Sequence, residues 1–289
     1  MSYDLYFKPR AGSFESRRFS EYFSQRTHYK VNGAQAWYAN EDTGVYFVFE
    51  LQDEAEHAEG EYFPVALNLN FFRPSFFGLE AEPEIKAFVD AFDMTVSDPQ
   101  THGMSDGEYS SELFLSGWNH GNEFGYAAFL RDPASRDDLV SLPAADLIAA
   151  WSWNFARNDL QRVLGESKFV PCIMFMLIDG QPATVAVWPD GIPIAVPRVD
   201  YFIIPRKRLA PRRFLRRKED QALVAREQVL PIFREFSVTW ADGTLVLNYL
   251  NAPREIKAFV EGLRSNESKI TGVPADKVLN RELVAKHVV

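Results

Sequence analysis

Glu84-Ile85-Lys86-Ala87-Phe88-Val89-Asp90-Ala91-Phe92 is written twice in this chain: it returns as Glu255-Ile256-Lys257-Ala258-Phe259-Val260-Glu261-Gly262-Leu263, with six consecutive identities. Upstream, Leu67-Asn68-Leu69-Asn70-Phe71-Phe72 returns as Leu245-Val246-Leu247-Asn248-Tyr249-Leu250. Ile85, Phe88, Val89 and Phe92 fall at i, i+3, i+4 and i+7, as do Ile256, Phe259, Val260 and Leu263, which is the spacing of a helix with one apolar stripe. Leu67, Leu69 and Phe71, like Leu245, Leu247 and Tyr249, alternate with the period of a strand. The repeat therefore predicts a strand-then-helix unit used twice, with helices over 83–92 and 253–264. Its period is far too long for a solenoid. In the second copy four residues, 251–254, join strand to helix; in the first, eleven do, 73–83. The first copy thus carries an insertion, 73–80, and loops longer than their structural need are where binding tends to reside.

Working outward, residues 3–7 read as an opening strand and 13–26 as a helix carrying Phe19, Tyr22 and Phe23. A hairpin is expected from 28–38 and 44–51 around Asn40-Glu41-Asp42-Thr43-Gly44. Residues 96–108 read as loop, and 113–118 with 124–130 as a second hairpin around Asn119-His120-Gly121-Asn122. Residues 144–164 have the spacing of a substantial helix stopped by Gly165. Beyond it lie strands at 170–178, 183–188, 192–196 and 199–204, a helix over 216–233, strands at 236–240 and 244–250, and a short helix within 275–287. The fold class is α+β: two related halves of antiparallel hairpins packed with a few helices, an internal duplication, with halves at 1–143 and 166–289 and a connecting helix at 144–165.

Composition limits the function. At 289 residues, 46% hydrophobic and 14% aromatic, the chain holds enough apolar side chains for a proper core. A single cysteine excludes an internal disulfide framework; no apolar run approaches the length of a membrane span, and the opening residues do not form a secretory signal, so a reducing cytoplasm is expected. The net charge of -9 is unevenly spread. Residues 50–112 hold fifteen Asp and Glu against Arg73 and Lys86, whereas Arg206, Lys207, Arg208, Arg212, Arg213, Arg216, Arg217 and Lys218 crowd one segment free of acids.

No nucleophile elbow, zinc-binding His pair, phosphate-binding glycine loop or paired cysteine motif is present, so no catalytic residue, metal site or cofactor is assigned. The glycines at 117, 121 and 125 read as hairpin punctuation. His102 with Asp106 and Glu108, and His120 with Glu123, are local groupings that lack a second histidine at ligand spacing, and are read as surface residues. Cys172, in an apolar strand, is read as core. The basic segment has two readings: a phosphate site built from Arg206, Arg208, Arg212, Arg213 and Arg216, or a solvated connection that answers acids elsewhere. With a pI near 5.2 and Phe214 its one interleaved aromatic residue, the solvated reading is preferred to a nucleic-acid contact.

Residues 1–7, together with 40–50 and 69–74, resemble the uncharacterised cytoplasmic proteins that accompany bacterial polymorphic toxins, the immunity-protein class. The resemblance covers the first third of the chain and rests on strand sequences. It implies a non-enzymatic protein that binds a toxin and occludes its active site, and it supplies no catalytic residue. The partner is then a cationic protein, steered by the acidic side of the first half: Glu54, Glu56, Glu59 and Glu61 in the loop, Glu80 and Glu82 in the insertion, with Phe76 and Phe77 as apolar anchors or, alternatively, as core. The same acids have a second reading, as charges that serve ordinary solubility alone. The competing expectation is an enzyme or phosphate-ligand-binding protein with its site between the halves.

Overall fold

The structure, a computed structural model, describes residues 1–53, 62–100, 102–136, 139–210, 212–213, 216–217 and 219–288, with backbone alone at 135, 212, 213, 216 and 217. It is α+β, and its sheets are mostly antiparallel. Two compact units divide the chain: Met1–Ala144 with Ala275–Val289, and Ala145–Pro274.

Unit 1 contains β1 (Ser2–Pro9), α1 (Ser16–Ser24), β2 (Tyr29–Asn32), β3 (Gln35–Asn40), β4 (Val45–Leu51), β5 (Val65–Asn70), α2 (Phe76–Phe92), β6 (Met94–Asp98), β7 (Ser105–Gly107), α3 (Ser111–Phe129) and β8 (Val140–Leu142). Seven strands form one antiparallel sheet in the order β2-β3-β4-β5-β1-β6-β7. Strand alternation decides its core face. Tyr3, Leu5 and Phe7 of β1 are buried and stand opposite Leu69, Leu67 and Val65 of β5, also buried. Over this face α1 contributes Phe19 and Phe23, and α2 contributes Ile85, Phe88 and Val89. The Phe88 ring lies 5.0 Å from Phe49 and 5.4 Å from Phe7, offset or edge-on as aromatic quadrupoles prefer.

Three expectations are corrected here. Helix α2 begins at Phe76, so residues 76–80 of the expected insertion 73–80 are the start of the helix and not a loop. Pro83 lies inside the helix and removes one backbone donor, but burial of Phe76, Phe77, Glu80 and Ala81 holds the preceding turns in place. The expected hairpin over 113–130 is the single helix α3. Ser110 caps it, accepting from the Leu113 amide at 3.3 Å, and its glycines form a close-packed face. The C-terminal residues belong to unit 1 and not to the second half: β19 (Val278–Asn280) pairs in parallel with β8 and leads into α7 (Arg281–His287).

Unit 2 opens with α4 (Ala144–Leu164), all but its first residue, where the periodicity places a helix. It continues with β9 (Met174–Ile178), β10 (Gln181–Val187), β11 (Ala195–Val196), β12 (Tyr201–Arg206), β13 (Arg212–Arg213), β14 (Arg216–Arg217), β15 (Asp220–Ala225), α5 (Arg226–Phe236), β16 (Ser237–Thr239), β17 (Leu245–Leu247), α6 (Arg254–Gly262) and β18 (Ile270–Val273). Its larger sheet runs β15-β12-β10-β9-β18. The helix expected from residue 216 begins at Arg226, because Asp220–Ala225 pairs with β12 and buries alternate residues Ala222 and Val224. Cys172 precedes β9 and is half-buried, its thiol directed to the Ile173 carbonyl at 3.5 Å.

The duplicated sequence occupies different surroundings. β5 lies between β4 and β1 in the large antiparallel sheet, and the strand that follows α2 returns to that sheet. β17 lies between β11 and β16 in a three-stranded sheet, while β18, after α6, joins the larger sheet. The strand-helix likeness is local and does not extend to sheet order. Among the described residues no helix is long and apolar enough to cross a membrane.

Candidate functional site

The site of greatest chemical interest in unit 1 is built on Asp98, at the end of β6. Its carboxylate is buried and accepts a short hydrogen bond from the Tyr3 hydroxyl, with further bonds from the backbone amides of Gln100 at 3.0 Å and Met104 at 2.8 Å. A carboxylate saturated in this way fixes the loop that leaves β6. Gly103 is required inside it, because a Cβ there would run into the Asp98 carboxyl group. Burial, reinforced by the Asp98 hydrogen bond and charge, pushes the Tyr3 phenol well above its ordinary range, so it remains a neutral donor.

That loop presents His102, whose ring lies 3.8 Å from the ring of His120 on α3, centroid to centroid, at an interplanar angle of 54°. The approach depends on the glycine face of α3. A Cβ on Gly117 would fall 2.6 Å from the Tyr3 hydroxyl, one on Gly121 would enter the Phe71 ring, and one on Gly125 would lie 3.2 Å from the Phe72 amide. The helix therefore sits against the backbone at the end of the sheet. A cavity of about 550 Å³ opens beside it, lined by Ser2, Asp4, Phe71, Gln100, the two histidines and Phe124 among others. Phe124 and Met1 are each 58% exposed, so the rim is apolar and open.

The reading of His102 and His120 as surface residues holds, since both are exposed. Glu108 is taken up by Arg10; Glu123 pairs with Lys286, and the charge of His120 nearby also acts on it. The histidines meet each other. Among the described residues no group of three His, Cys, Asp or Glu side chains is placed to hold a metal ion.

The other predicted site residues are distributed differently. Glu54, Glu56, Glu59 and Glu61 lie outside the described residues. Phe76 and Phe77 are core residues, 1% and 0% exposed, which removes them as surface anchors. Glu80, 1% exposed, is no docking charge either: its Oε1 accepts from the Tyr38 hydroxyl at 2.8 Å, Asn40 Nδ2 at 2.8 Å and Thr43 Oγ1 at 2.9 Å. The cluster ties the turn after β3 to α2. Glu82 is half-buried and accepts the Tyr109 hydroxyl at 3.2 Å.

In unit 2 Arg206 is not available to a phosphate. Its side chain is fully buried, pairs with Asp220 through Nε and Nη2 at 2.8 and 2.6 Å, and donates Nη1 to the carbonyls of Val260 and Leu263. Burial opposes the charge on Asp220, but hydrogen bonds from Arg206 and Ser265 prevail and hold its carboxyl below the usual range. Arg212, Arg213 and Arg216 lie in the short pair β13-β14, where only the backbone is described. Arg208, with Lys207 and Lys257, lines a separate cavity of about 650 Å³ within unit 2. Lys257 belongs to the second repeat helix and was not singled out by its sequence.

Compared with known protein families, with curated proteins and with solved structures, the chain matches none.

Proposed function

We propose that this chain is a non-enzymatic binding protein of the immunity type, acting in the cytoplasm, which neutralises a cationic protein toxin by occluding its active site. One observation supports the reading above others. The three separated stretches that carry the resemblance, residues 1–7, 40–50 and 69–74, assemble into one substructure: β4, β5 and β1 are consecutive in the sheet. Arg73, after β5, donates to the Tyr46 hydroxyl of β4 at 3.1 and 2.7 Å. A resemblance scattered along a sequence thus falls on one contiguous scaffold. The open apolar rim formed by Met1 and Phe124 beside polar groups has the make-up of a recognition surface, where exposed aromatic residues supply most of the burial energy.

The test is growth of cells that express the product of the adjacent gene, with and without this chain. Restored growth and a co-purifying complex are expected. Unchanged killing, or an adjacent product without toxicity, contradicts the reading.

A second reading retains the basic cavity of unit 2 as a phosphate-ligand site, since Lys207, Arg208 and Lys257 converge on one space. It loses Arg206, and calorimetric titration with pyrophosphate tests it directly. Saturable binding that Lys257→Ala abolishes would favour it.

A further inference from the structure

We infer that the unit 1 cavity receives an arginine side chain presented by the partner, with Asp4 as its counter-charge and Phe124 as its stacking surface. The inference rests on the binding function just proposed and specifies the group that is bound.

Asp4 is half-buried and lines the cavity. Asn68 Nδ2 donates to its Oδ1 at 2.7 Å, and the Ser2 hydroxyl donates at 3.2 and 3.0 Å to its two oxygens. These neutral donors orient the carboxylate without offsetting its charge. Among the described residues no cation pairs with it. Asp93, Glu84, Glu108, Glu123 and Asp220 each hold an arginine or lysine; Asp98 and Asp200 also accept from neutral donors, but of these acids Asp4 is the one that lines the cavity. A negative charge withdrawn from bulk water beside a cavity favours a cationic occupant, and the interaction strengthens as water is displaced.

The remaining lining selects arginine over lysine. A guanidinium is planar, donates two parallel hydrogen bonds to a carboxylate and stacks on aromatic faces, whereas an ammonium is a compact, strongly hydrated charge. Phe71 and Phe124 supply rings, His102 and His120 supply flat imidazole surfaces, and Gln100 supplies a further polar group. The 54° angle between the imidazoles makes an angular wall. The cavity, about 550 Å³, lies within the range of roughly 300–1,000 Å³ typical of ligand sites, and accommodates one long side chain with its flanking backbone. The lining is not arranged as a metal site, because no three ligating side chains converge there among the described residues. An arginine here matches the cationic character expected of the partner and gives that general charge attraction a specific point of attachment.

The experiment is a two-dimensional amide NMR titration with Nα-acetyl-arginine amide, with the uncharged isostere Nα-acetyl-citrulline amide as control. The inference predicts saturable shifts concentrated at Ser2, Gly117 and Gly121. Affinity for the citrulline probe, and that of Asp4→Asn for the arginine probe, should each be weaker by about fivefold or more, the loss of a charge-assisted pair. Phe124→Ala, at an exposed position that leaves the core intact, should weaken arginine binding by about threefold or more. Equal response to both probes, or shifts centred elsewhere, overturns the inference. Cell protection separates the two levels of the account. Protection that persists in Asp4→Lys overturns the arginine site and leaves the binding function standing; arginine binding in a chain that protects no cell overturns the binding function alone.

Discussion

The Phe71 ring occupies the space that a Cβ on Gly121 would need. This contact sets how closely α3 approaches the end of β5, and with it the position of His120 beside His102. Gly121→Ala is therefore predicted to destabilise unit 1 by about 1–3 kcal/mol through overpacking, even though alanine is the better helix former by roughly 1 kcal/mol. Gly262, the last residue of α6, is the control: an added Cβ meets nothing within 4 Å, and Gly262→Ala should be neutral or stabilising by up to about 1 kcal/mol. Denaturant midpoints for the two variants should move in opposite directions or, at the least, only the first should fall.

Glu80→Ala should be among the most damaging single changes in unit 1. It leaves the Tyr38 hydroxyl, Asn40 Nδ2 and Thr43 Oγ1 without the oxygen they share. Each orphaned buried group costs about 1–3 kcal/mol, so with three of them a total loss of at least roughly 3 kcal/mol is expected in equilibrium unfolding. A loss below about 1 kcal/mol would mean that the cluster does not hold the turn to α2.

Arg206→Met tests the reassignment of the first arginine of the basic segment. Removing Arg206 leaves Asp220 behind without its cation, but Asp220 is half-buried and keeps the Ser265 hydrogen bond, so the cost is about 1–3 kcal/mol, below that of a fully buried pair. The variant should lose stability by that amount while the cavity lined by Lys207, Arg208 and Lys257 keeps whatever anion affinity it has. The pair also predicts an acid sensitivity. The Asp220 carboxyl is depressed in the folded chain, so its contribution is present above the ordinary carboxylate value and is lost as pH falls through the folded value. Stability of unit 2 should decline on acidification with a shallower slope in Asp220→Asn than in the parent.

At high pH the buried phenols govern. Tyr3, Tyr38 and Tyr126 are all raised above the ordinary 10.0 by burial, and Tyr3 and Tyr38 further by the carboxylates of Asp98 and Glu80. A raised folded value means that the stabilising contribution is complete below pH 10 and is lost as pH rises beyond it. Absorbance of tyrosinate should show part of the phenols titrating only together with unfolding, not at their ordinary value.

The strands of unit 1 were legible because alternation at residues 3, 5 and 7, at 45, 47 and 49 and at 67, 69 and 71 reports one buried face. The helix at 144–164 was legible for the same reason at another period. α3 was not. Its glycines, spaced by four, and the Asn-His-Gly-Asn run have the composition of a turn, and only the packing of Gly117 and Gly121 on Tyr3 and Phe71 explains why a helix needs them. Residues 76–82 were hidden by Pro83, which normally opens a helix and here lies within one. The repeat was legible as a strand followed by a helix, but a sequence of six identities does not encode which sheet the strand joins. For the site, His102 and His120 were visible as residue types, whereas Asp4, Phe71 and Asp98 come from distant segments whose meeting depends on strand register.

Isothermal titration of this chain with the purified product of the adjacent gene tests the account most directly, performed at low and at physiological salt. The account predicts a one-to-one complex with a dissociation constant below about 100 nM, within the range of specific interfaces of standard size, weakening with added salt because charge contributes to association. Absence of binding at both salt concentrations, with both proteins shown to be folded, would contradict it.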